Sequence, residues 1–107
     1  MDYNFVITPK AQQAIDNICN KVLNAWGTKC YKDLIDELER CFKIIQRYPS
    51  AFQESLRYPG IRQCVVTPLN ILYYMIEGND IVILAFEDTR MDPQKITFED
   101  YTGTNRK

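Results

Sequence analysis

Residues 61–86 read IRQCVVTPLNILYYMIEGNDIVILAF, and this stretch decides the architecture. Three β-rich runs, 61–67, 70–76 and 81–86, are divided by turn residues. Glu77-Gly78-Asn79-Asp80 reads as a hairpin turn, because Gly78 and Asn79 both tolerate positive φ. Pro68 stops the first run, and Pro68-Leu69-Asn70 makes a tighter turn into the second. The half of the chain after Pro49 is thus an antiparallel meander.

Working outward, the preceding half supplies helices. Tyr3-Asn4-Phe5-Val6-Ile7-Thr8 is a short strand with Tyr3, Phe5 and Ile7 on one side. It stops at Thr8-Pro9, where Thr8 suits an N-cap and Pro9 the first helical position. Ala11, Ala14, Ile15, Ile18, Cys19, Val22, Leu23 and Trp26 then recur at helical spacing, and Gly27 fits the left-handed residue that closes a last turn. A second stripe runs through Tyr31, Leu34, Ile35, Leu38, Cys41, Phe42 and Ile45, and Pro49 ends it. The spacing predicts helices over 10–26 and 29–48, joined through Gly27-Thr28 as an antiparallel hairpin. Neither stripe can be buried alone, so a sheet must lie beneath both. The predicted fold class is α+β: a two-helix antiparallel hairpin on one face of a mainly antiparallel four-stranded sheet, in the order β-α-α-β-β-β.

Composition narrows the chemistry. The 107 residues carry 13 Lys plus Arg against 14 Asp plus Glu, and 46% are hydrophobic, which suits one domain with one core. Without histidine there is no imidazole base, no Ser-His or Cys-His nucleophile pair and no imidazole metal ligand. Cys19, Cys30, Cys41 and Cys64 lack the close spacing of zinc knuckles and redox motifs, so they read as free thiols, with no metal and no cofactor. No apolar run is long enough to span a bilayer, and the N-terminus lacks the features of a secretory signal. The expectation is a cytoplasmic protein without a membrane partner. A net charge of −1 also argues against direct nucleic-acid binding by charge alone.

The layout and four local phrases resemble the RelE/ParE superfamily of toxins from bacterial type II toxin–antitoxin pairs. The phrases are Ile7-Thr8-Pro9-Lys10-Ala11, Ile61-Arg62-Gln63-Cys64-Val65-Val66, Asn70-Ile71-Leu72-Tyr73-Tyr74-Met75-Ile76, and Ile81-Val82-Ile83-Leu84-Ala85-Phe86 leading to Arg90-Met91-Asp92. The resemblance implies a toxin domain over 1–92 followed by a polar extension, 93–107. It also implies a concave sheet face that meets the target, and a cognate antitoxin that silences the toxin. RelE-like members enter the ribosome and cleave mRNA with several Lys and Arg residues and a late Tyr or His. ParE-like members lack that set and poison DNA gyrase.

Metal-free RNA cleavage needs a base, cations for the developing phosphorane and an acid for the leaving oxygen. Residues 48–90 carry three Arg against five acids, so the sheet half is net negative by two. By the resemblance, Arg62 and Arg90 occupy two basic positions of the nuclease members, while Cys64 and Ile71 stand at two others. Tyr101 is the candidate late phenol, with an ordinary pKa near ~10 that makes it a poor base.

The sequence therefore reads as a toxin closer to the ParE-like branch, of the plasmid-stabilising kind, acting by protein–protein contact with DNA gyrase as target. Arg57, Arg62, Tyr74 and Arg90 are its candidate contacts with target or antitoxin. The rival reading is a ribosome-dependent mRNA endonuclease using Arg62, Arg90 and Tyr101, and a second is a non-toxic binding protein that keeps the fold. Blander roles stand beside these: the arginines as ion-pair partners of Glu54, Glu87 and Asp88, and Tyr74 as core. Trp26 reads as packing, and Asp33, Asp36, Glu37 and Glu39 as a solvated helix face.

Overall fold

The structure, a computed structural model, describes residues 3–56 and 58–89. Its elements are β1 (Asn4–Ile7), α1 (Pro9–Trp26), α2 (Thr28–Arg47), β2 (Arg62–Thr67), β3 (Asn70–Glu77) and β4 (Asp80–Asp88). This is the expected order and class. The proposed extension 93–107 lies outside the described residues.

The sheet order is β1-β4-β3-β2. The meander pairs antiparallel throughout, and β1 returns to lie parallel to β4, with Phe5 opposite Ile81 and Ile7 opposite Ile83. Parallel pairing requires a crossover, and the α1–α2 hairpin supplies it. Thr8 secures the junction: its hydroxyl accepts from the Ala11 N–H at 3.1 Å, capping α1, and donates to the Ile83 carbonyl at 3.1 Å. One threonine thus starts the helix and ties it to the central strand.

Gly27 alone separates the two helices. Its φ of 92° and ψ of 179° are not left-handed helical, as the sequence suggested, but lie in a region open essentially to glycine only. The chain can therefore reverse within one residue. At the β3–β4 turn only Gly78 has positive φ, at 60°, and among the described residues no non-glycine residue does. Glu77 pairs with Asp80 around this two-residue loop, so the first central position carries the strain, as in type II′ hairpins.

The helix-side core joins Ala11, Ile15 and Cys19 of α1 to Leu34, Leu38, Cys41 and Ile45 of α2, over Cys64, Leu72, Tyr74, Ile81, Ile83 and Phe86 of the sheet. That Ile83 and Phe86 both face the helices breaks simple alternation. A bulge explains it: the register shifts between Tyr73 and Tyr74, so Leu84 and Ala85 together oppose one residue of β3. Leu84 and Ala85 turn instead to the second cluster, with Ile61, Tyr73, Met75 and Val82. Ile7, on one side of β1 with Tyr3 and Phe5, is 38% exposed at the strand end. No helix among the described residues is long and apolar enough to cross a membrane.

Candidate functional site

The four strands contain one cation, Arg62. It shares parity with Cys64 and Val66, which are buried beneath the helices, so its side chain leaves the sheet on the helix side. There the guanidinium donates to the Phe52 carbonyl at 2.7 Å. The same segment pairs with the outer edge of β2: the Gln63 N–H reaches the Gln53 carbonyl at 3.1 Å, and Glu54 bridges Arg62. Arg62 thus pins the 52–54 segment to the sheet rim. Glu54, a conceivable ion-pair partner, accepts instead from the Gly60 N–H at 2.6 Å.

Tyr74 takes the core role of the two its sequence left open. It is fully buried on the helix side, and its hydroxyl donates to the Pro49 carbonyl at 2.6 Å. Burial pushes its phenol up to about 12. Tyr73 is the tyrosine on the opposite face, its ring edge-on to Tyr58 at 6.2 Å. Arg57, Arg90 and Tyr101 lie outside the described residues.

The centre of the face opposite the helices is buried: Met75, Val82, Leu84 and Ala85 are each 3% exposed or less. Towards one end of β4, Glu87 shares this face; burial raises its carboxyl above the ordinary range, opposed by the nearby Lys10 charge. Burial, then Tyr58 and Glu87, likewise raises the Tyr73 phenol. Phenol and carboxylate without a strand cation make a poor phosphate site.

A second apolar surface lies at the end of α1. Trp26, expected to pack, is 74% exposed at the end of α1, and Leu69 is 50% exposed in the β2–β3 turn. With Val22, Asn70 and Leu34 they line a groove of two adjoining lobes, of about 320 and 310 Å³. Asp33, Glu37 and Asp88 also line it with Lys21, and Asp33 and Glu37 are ion-paired with Lys29 and Arg40. An apolar floor with a polar rim suits an amphipathic segment. The acidic helix face is therefore partly groove wall: Glu37 is half-buried, while Asp33, Asp36 and Glu39 are exposed. Sequence reasoning missed this site, although Leu69 carried a signal as a large apolar residue in a two-residue turn.

Comparison with known proteins places this geometry in context. Residues 5–93 match the family described as the ParE toxin of the type II toxin–antitoxin system parDE. No curated protein sequence matches the chain. Among solved structures, the chromosomal ParDE toxin–antitoxin system from P. aeruginosa superposes with a TM-score of 0.69 at 17% identity, covering 80% of this chain and 95% of that one. The toxin–antitoxin complex RelBE2 from Mycobacterium tuberculosis gives 0.57 at 20% identity, with coverage of 82% and 99%. The YoeB dimer from Staphylococcus aureus gives 0.56 at 15% identity, with coverage of 81% and 97%. At these identities the structural likeness establishes the fold.

Proposed function

The chain belongs to the ParE toxin family of type II toxin–antitoxin systems, and from that premise we propose that it arrests growth by protein–protein contact, with DNA gyrase as its target. A cognate antitoxin silences it, in a plasmid-stabilising or chromosomal pair. The single observation carrying the non-nucleolytic reading is the place of Arg62. It is the lone cation of the four strands, and its guanidinium is committed to the Phe52 carbonyl on the helix side. Among the described strand residues, the face opposite the helices therefore offers no cation to a scissile phosphate.

The Trp26–Leu69 groove supports the antitoxin half of the proposal. Interfaces are anchored by aromatic residues seated in apolar surroundings, and amphipathic helices dock by laying an apolar face into a groove. The open outer edge of β2 offers a second contact beyond the stretch covered by 52–54. Val65 there is 58% exposed and available for strand addition.

Inducing the chain in a bacterial host with and without the neighbouring reading frame tests the proposal. Growth arrest with a DNA-damage response, abolished by co-expressing the neighbour, is the expected result. Growth unaffected by induction would support a binding protein that keeps the fold without toxicity. Arrest without a DNA-damage response would exclude gyrase poisoning.

A further inference from the structure

Two cysteines far apart in sequence meet inside the fold, and nothing in the toxin reading uses them. Cys41 projects from α2 and Cys64 from β2, both buried, and their sulfurs stand 3.1 Å apart. That is closer than van der Waals contact of two sulfur atoms, and about 1 Å beyond the length of a disulfide bond. We propose that Cys41 and Cys64 form a peroxide-oxidisable dithiol whose disulfide staples α2 to β2.

Both thiols are buried, so peroxide reaches them by local opening, and the electrostatics of the pair then favour the first step. Cys64 donates its S–H to Cys41, which stabilises a Cys41 thiolate, and Arg40 adds a favourable positive field. Together they hold Cys41 down to about 7 against the opposing effects of burial and of Glu37, the ion-pair partner of Arg40. The hydrogen bond it donates, its burial and the adjacent Cys41 charge all push Cys64 up. One thiol is thus the nucleophile and the other the resolving partner. The Cys41 thiolate attacks one oxygen of hydrogen peroxide; an S–O bond forms, the O–O bond breaks, and hydroxide leaves. The Cys64 sulfur then attacks the sulfenic sulfur of Cys41. The S–S bond forms, the S–O bond breaks, and a second hydroxide leaves. The two protons released by the thiols convert both hydroxides to water. Two thiols are oxidised by two electrons, and one peroxide is reduced to two waters.

The bond would close the 42–63 segment into a covalent loop and join the two elements that carry Leu34, Glu37 and Thr67 of the groove. Cys30 is exposed, and Cys19 is buried in the core. Burial raises the Cys19 thiol, and Asp16 raises it further, so it is a weaker nucleophile than Cys41.

The test treats the folded full chain, first reduced, with hydrogen peroxide. Remaining thiols are blocked with N-ethylmaleimide before and after unfolding, and peptides are mapped by mass spectrometry. The expected result is a Cys41–Cys64 cross-linked peptide and a thermal midpoint about 10 °C higher, reversed by dithiothreitol. Cys64→Ser should abolish that rise, and Cys30→Ser should preserve it. If peroxide modifies Cys30 while Cys41 and Cys64 are both recovered with the maleimide, or if either links to another cysteine, the proposal fails. Peptide mapping on the native sequence decides this even if the Cys64→Ser chain does not fold.

Discussion

The Tyr74 hydroxyl, fully buried on the third strand, donates to the Pro49 carbonyl just past the end of α2 at 2.6 Å. A residue that ends a helix is thereby tied to the middle of the sheet. Tyr74→Phe keeps the packing but leaves a buried carbonyl without its donor, so it should cost about 1–2 kcal/mol in denaturant unfolding at pH 7. The difference should change with pH. The phenol is held at about 12 in the folded chain against an ordinary value of 10. The unfolded state therefore ionises first, and this group's contribution to stability is lost as pH rises from 10 towards 12. The loss amounts to roughly 3 kcal/mol once both states have ionised. Parallel unfolding of the wild-type and Tyr74→Phe chains from pH 9 upward should show the wild-type advantage shrinking and then reversing across that window.

Leu38 is 3% exposed at the centre of the helix-side core. Leu38→Asp places an unpaired charge there, which should cost more than about 3 kcal/mol, a large share of a small domain's stability. Circular dichroism melting should show a lost or greatly lowered transition. An unchanged midpoint would mean that the α2 stripe does not pack on the sheet.

Trp26 and Leu69 should behave in the opposite manner. Both are well exposed, so Trp26→Ala and Leu69→Ala should shift stability by less than about 0.5 kcal/mol. Calorimetric titration with the cognate antitoxin should nonetheless find roughly 2 kcal/mol of binding lost for Trp26→Ala, some thirtyfold in Kd. Unchanged affinity in both variants would remove the groove from the antitoxin interface.

The elements were legible because their signals are local. Thr8-Pro9 starts α1, Pro49 ends α2, and Gly78-Asn79 makes the hairpin, each by its own backbone chemistry. The place of β1 was not legible, since pairing Phe5 with Ile81 depends on a crossover between segments far apart. Nor was facing within 81–86, where every residue is apolar and the bulge at Leu84–Ala85 reverses the alternation. The candidate site suffered from the same limit. Neighbours on a strand such as Tyr73 and Tyr74 point opposite ways, but which of them faces the helices depends on register. Trp26 reads as packing because the stripe continues to it, yet at the last residue of α1 it is exposed. Arg62 was rightly placed on a strand with Cys64 beside it. What no spacing revealed was that this parity faces the helices.

The account rests on toxicity without RNA cleavage, and mapping mRNA ends on translating ribosomes tests that most directly. Several transcripts would be followed by primer extension after induction with the antitoxin absent. A residue that stabilises a scissile phosphate is worth about a hundredfold in rate, or roughly 3 kcal/mol, so true cleavage would be lost from single variants. The account predicts growth arrest with no new codon-positioned ends, unchanged by Arg62→Ala beyond its effect on stability. Discrete cuts in register with the ribosome, abolished by Arg62→Ala or Arg90→Ala, would contradict it.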